Sequence, residues 1–141
     1  MRNGDIMTKY KLLIAEDSKI DREIYQGIIP ESIYDKIIVT DGEEALKKYQ
    51  EWSPDIIILD INMPFMNGFQ VLKAIREEHN DEKTTIIMVT SRSDKDDIES
   101  SAKHGIQGYV IKPFHHIEFN QAIAGYHWAN LQIRQAELNL D

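Results

Sequence analysis

Five short apolar runs punctuate the chain: Leu12–Ala15, Ile37–Val39, Ile56–Leu59, Ile86–Val89 and Tyr109–Ile111. They are rich in β-branched residues and do not alternate with polar ones. That pattern predicts strands covered on both faces, as in a parallel sheet. The stretches between them have helical spacing. Ile20, Ile24 and Ile28 form an apolar stripe after Ser18, which has Asp21 three residues on as a capping partner, and Pro30 closes the segment. Gly42–Glu51 follows Asp41 and carries Ala45, Leu46 and Tyr49 on one side, while Val71, Leu72 and Ile75 stripe the segment after Gly68. Ser93 and Asp96 form a further capping pair ahead of Ile98 and Ala102, with Gly105 as the stop. A long helix is predicted from His115 towards Asn139. Strand and helix thus alternate five times, which predicts an α/β sheet with helices on both faces.

The residues that end the apolar runs carry the chemistry. The first run ends in Glu16-Asp17, the third in Asp60, the fourth in Thr90-Ser91 and the fifth in Lys112. Ligands in open α/β sheets bind at the carboxyl ends of the strands, so these groups are predicted to share one edge. Taken singly they read as turn, cap and strand-end residues; taken together they read as a site. Like charges ~4 Å apart repel by about 4 kcal/mol at an effective dielectric near 20. Three carboxylates therefore call for protonation or a cation. An all-oxygen donor set with open positions favours Mg²⁺, with Mn²⁺ as a substitute. Lys112 adds a positive charge but does not replace a divalent ion.

Composition narrows the reading. A length of 141 residues, 42% of them hydrophobic, suits one domain with a real core. The formal net charge of −8 argues against direct nucleic-acid binding. Cysteine is absent, which excludes disulfides and thiolate metal sites. No apolar run is long enough for a membrane helix, and MRNGDIMTKYK has no hydrophobic signal core. A cytoplasmic location is the expectation, with residues 1–8 as a flexible leader.

At these positions the chain resembles a two-component response-regulator receiver domain. The motifs are LLIAEDS, IIILDINMPFMNG, IIMVTS and GYVIKPF, and the resemblance covers about Lys9 to Tyr126. It implies a doubly wound, flavodoxin-like (βα)5 fold with strand order 2-1-3-4-5. It also implies roles. Asp60 would take a phosphoryl group from a histidine kinase or histidine phosphotransfer protein. Asp17 and Asp60 would ligate Mg²⁺ directly with the backbone carbonyl of Asn62, and Glu16 would act through water. Lys112 and Thr90 would bind phosphoryl oxygens, Tyr109 would be the switch aromatic, and Lys112-Pro113 would be a cis peptide. Asn62 and Arg92 would flank the water that attacks during autodephosphorylation. Glu16-Asp17 stands where many receivers have two aspartates. Nothing essential to the pattern is missing.

Two other readings fit the residues less well. A haloacid-dehalogenase-like phosphatase wants a second aspartate two residues after the nucleophile, where Asn62 stands. A flavodoxin-like electron carrier wants a neutral, hydroxyl-rich phosphate loop, and EDSKIDR would repel the phosphate. Residues 127–141 extend the last helix beyond a minimal receiver. Ile117, Ala124, Leu131 and Leu138 repeat every seven residues, with Trp128 between them and Gln121 and Gln135 interrupting the second stripe. The extension is either a polar tail or a signalling helix. In the second case the face made by the fourth helix, fifth strand and fifth helix would meet an effector, an output domain of the same protein, or a second copy.

Overall fold

The computed structural model describes residues 8–139. Five parallel strands, β1 (Tyr10–Ala15), β2 (Tyr34–Val39), β3 (Ile56–Leu59), β4 (Thr85–Thr90) and β5 (Gly108–Ile111), lie in the order β2-β1-β3-β4-β5. The helices are α1 (Lys19–Ile28), α2 (Gly42–Trp52), α3 (Gly68–Lys73, continued by a π turn over Ala74–Glu78), α4 (Lys95–His104) and α5 (His116–Leu138). This is the doubly wound α/β fold. β1 and β3 sit side by side, Leu12 to Ala15 opposite Ile56 to Leu59, although an entire βα unit separates them in sequence. The reversal of winding at that pair creates the crevice.

The period of two along each strand divides the core. Leu13, Ala15, Ile57, Leu59 and Met88 face α2 and α3, meeting Ala45, Val71, Leu72 and Ile75. Leu12, Ile14, Ile56, Ile58, Ile87 and Val89 face α1 and α5, meeting Tyr25, Phe119 and Ile123. The central strands β1, β3 and β4 therefore read as unbroken apolar runs because both faces are covered. β2 is an edge strand, and it extends back to Tyr34 through Asp35 and Lys36, whose charges hide its start in the sequence.

Two expectations are corrected. Only the Ile28 end of the Ile20–Ile24–Ile28 stripe packs on the core: Ile20 is 70% and Ile24 40% exposed, and the buried residue of α1 is Tyr25. Aromatic area decides the orientation, because Tyr25 stacks on Phe114 at 6.0 Å and packs, tilted, against Phe119 at 5.6 Å. Ser93 does not cap α4 either. That helix starts after Asp94, whose side chain makes no capping bond. By contrast Ser18, Asp41 and Asn67 each accept a backbone N–H at a helix start.

α5 is continuous over 23 residues. Phe119, Ile123, His127 and Asn130 face inward, so the helix stays docked beyond Tyr126. Asn130 donates to the Lys83 carbonyl and the Thr85 hydroxyl, and His127 Nδ1 lies 2.6 Å from that hydroxyl. Of the seven-residue series, Ile117 is 54% and Leu138 71% exposed, and Trp128 beside it is 65% exposed. Most of the leader expectation lies outside the described residues. Among the described residues, no helix is long and apolar enough to cross a membrane.

Candidate functional site: an ammonium shared by three carboxylates

Four of the five strands, β1, β3, β4 and β5, each deliver a group to the crevice. β1 ends at Ala15, and the next residue, Glu16, is anchored by its backbone N–H on the Val39 carbonyl. Asp60 follows β3 and is held by its N–H on the Ala15 carbonyl, which ties the two acids to neighbouring strand ends. Thr90 closes β4 and is fully buried. Lys112 follows β5, with its N–H on the Thr90 carbonyl, and the Lys112-Pro113 peptide is cis. Gly68 explains part of the motif spacing after Asp60. Its N–H reaches the Ile61 carbonyl at 2.8 Å, and a Cβ there would run into the Asp60 carbonyl.

The side chains converge on the Lys112 ammonium. It donates to Glu16 Oε1 at 2.6 Å, Asp60 Oδ2 at 2.8 Å and Asp21 Oδ2 at 2.8 Å. Carboxylate oxygens of Glu16, Asp21 and Asp60 all lie within 4.8 Å of one another. Asp60 Oδ1 accepts from the Ile61 N–H and Glu16 Oε2 from the Ser18 N–H. Three carboxylates against one cation leave the cluster net negative. Burial, set against the Lys112 hydrogen bond and reinforced by the Asp60 charge, raises the pKa of Glu16, only 1% exposed, from 4.5 to about 7. Burial alone would push the Lys112 ammonium down, but hydrogen bonds to Asp21, Asp60 and Glu16 override it and hold it above its ordinary range.

The structure gathers Glu16, Asp60 and Lys112 but leaves the Asp17 carboxylate outside this group. Asp17 is exposed at the mouth, and its carbonyl accepts from Arg22 at 2.7 Å. The third carboxylate is Asp21, which sequence reasoning took for a cap partner. Only its backbone serves the cap, donating to Ser18 Oγ at 3.3 Å, while its side chain turns into the crevice. The available signal was its spacing, one helical turn beyond Asp17 on a helix that starts at the site.

A second cluster forms the rim. Arg92 pairs with Asp97 through two bonds of 2.8 and 3.0 Å and donates to Asn62 Oδ1 at 3.2 Å. The Tyr109 hydroxyl donates to the Arg92 carbonyl at 2.7 Å, and the Arg92 N–H reaches Thr90 Oγ1 at 3.3 Å. Asn62, Thr90, Arg92 and Tyr109 thus form one connected set beside Asp60, and Tyr109 is half-buried.

Comparison with known proteins gives the family. Residues 12–124 match the family model of the response regulator receiver domain. The chain belongs to the response regulator receiver family. It is 31% identical over 120 residues to the polar-differentiation response regulator DivK of Brucella ovis, covering 85% of this chain and 97% of DivK. It is 37% identical over 110 residues to the probable transcriptional regulator ycf27 of Guillardia theta, of which it spans only 42%. Among solved structures, the chemotaxis protein CheY4 of Vibrio cholerae superposes with a TM-score of 0.73 at 30% identity, covering 82% of this chain and 99% of that one. The receiver is thus a regulatory domain of two-component signalling, and these comparisons lend no support to the phosphatase reading.

Proposed function

We propose that Asp60 is the phosphoacceptor of this receiver, served by a divalent cation. The observation that carries the reading is the buried excess of negative charge around Lys112, at the carboxyl end of β3, with the Thr90 hydroxyl alongside. An Asp60 carboxylate oxygen attacks the phosphorus of a phosphohistidine on a kinase or phosphotransfer protein. The P–N bond breaks, the imidazole leaves with the electron pair and takes up a proton, and an acyl phosphate remains. No general acid or base is needed from this chain; positioning and charge suffice.

The donor set fits a hard cation. Glu16, Asp17, Asp60 and the Asn62 backbone carbonyl would hold Mg²⁺, or Mn²⁺ in its place. When bound, the ion neutralises the carboxylates and the phosphoryl oxygens. Lys112 then exchanges carboxylate partners for a phosphoryl oxygen, and the Thr90 hydroxyl donates to another. Moving Thr90 disturbs the Arg92 N–H and, through the Arg92 carbonyl, the Tyr109 hydroxyl. That route leads to the face of α4, β5 and α5, where an effector, an attached output domain or a second copy would respond. Coupling of this kind requires a partner that prefers the phosphorylated state. Asn62 and Arg92, bonded to each other at the rim, would govern the water that hydrolyses the acyl phosphate.

Incubation with phosphoramidate and Mg²⁺ tests the reading. The intact mass should rise by one phosphoryl group, with no gain in EDTA or in Asp60→Asn. Equal labelling in either control refutes it.

A further inference from the structure

α1 brings to the crevice a residue that the reading above leaves without a task. The Asp21 carboxylate pairs with Lys112 at 2.8 Å, as close as Asp60 does, and lies within 4.8 Å of the Glu16 and Asp60 carboxylates. It is half-buried, so the pair is only partly screened by solvent. One turn further along the same face, Tyr25 is fully buried and its hydroxyl has no partner among the described residues. A buried hydroxyl left unpaired is costly, and it marks this wall of the crevice as unsatisfied in the resting arrangement.

We infer that Asp21 is a positioning residue that holds Lys112 in the resting arrangement and competes with the phosphoryl group for it. The inference rests on Asp60 being the phosphoacceptor. Its physical content is a pair of opposed effects. Asp21 adds a negative charge close to the cation-binding carboxylates, which favours a divalent ion. The same charge disfavours an incoming phosphoryl group and retains the ammonium that the group needs. When Lys112 moves to the phosphoryl oxygen, Asp21 loses its side-chain donor, and among the described residues the Tyr25 hydroxyl, one turn away, is an unpaired donor on that face.

Calorimetric titration of the full chain separates these effects. Asp21→Asn should bind Mg²⁺ about three- to tenfold more weakly than wild type, as expected for loss of one half-screened charge at ~5 Å. At saturating Mg²⁺ the same variant should bind beryllofluoride, an acyl-phosphate mimic, three- to tenfold more tightly. Asp21→Glu should return both constants towards wild type. A structural role alone would weaken both or change neither, and either result overturns the inference. If wild-type protein binds neither Mg²⁺ nor beryllofluoride, the phosphoacceptor reading falls and takes the inference with it. If wild type binds both and Asp21→Asn matches it, only the role of Asp21 falls.

Discussion

Two clusters of charge sit at opposite ends of the sheet, and they are built on opposite terms. At the amino end, Arg76 spends its donors on the carbonyls of Gly105, Asp81 and Thr84 and on Gln107 Oε1, at 2.8 to 3.0 Å. Asp81 accepts from the Lys83 and Thr84 N–H groups and from the Tyr49 and Thr84 hydroxyls. Burial alone would raise Asp81, yet hydrogen bonds from Thr84, Tyr49 and Lys83 pull it down to about 2. At the carboxyl end, three acids share one ammonium and Glu16 is pushed up to about 7. One cluster has enough donors for its acceptors, and the other does not. The first holds α3, β4 and β5 together; the second leaves three carboxylates competing for one ammonium. On the proposed phosphoacceptor reading, function resides where the polar groups are left in competition.

The largest stability change should come from the satisfied end. Arg76→Ala strands three carbonyls and should lower stability by about 3 kcal/mol, some 10 °C in Tm. A loss smaller than that for any single carboxylate at the crevice would break the comparison. Asp81→Asn should cost about 1–2 kcal/mol at pH 7, allowing for its partial exposure. Because its folded pKa lies below the ordinary 3.8, the stabilisation is complete above about pH 4 and fades as pH falls towards 2. Wild type and variant should therefore converge in Tm over that interval, and parallel curves would contradict the hydrogen-bond account. Glu16→Gln should act the other way. Removing one competing charge should leave the resting protein as stable as wild type or up to about 1 kcal/mol more stable. Added Mg²⁺ should raise the Tm of wild type more than that of the variant. Thermal melts with and without Mg²⁺ read this difference.

What the sequence made legible follows the same physics. The central strands were visible because burial on both faces leaves uninterrupted apolar runs, and the strand-end polar residues were visible because each stands directly after one. The start of β2 was hidden because an edge strand tolerates Asp35 and Lys36. The orientation of α1 was misread because one buried Tyr25 outweighs two exposed isoleucines that happen to fall at helical spacing. Asp21 was missed for a related reason, since a local capping pattern accounts for an acid at that position without any tertiary partner. The Arg76 network left no trace at all, because its acceptors are mostly backbone carbonyls, which every sequence possesses.

The most direct test of the central claim is to map the modified atom in the unaltered chain. Wild-type protein treated with phosphoramidate and Mg²⁺ can be reduced with borohydride, which converts an acyl phosphate to an alcohol, and sequenced by tandem mass spectrometry. The account predicts a single reduced side chain, at position 60. Reduction at Glu16, Asp17 or Asp21 instead, or none in a fully labelled sample, would contradict it.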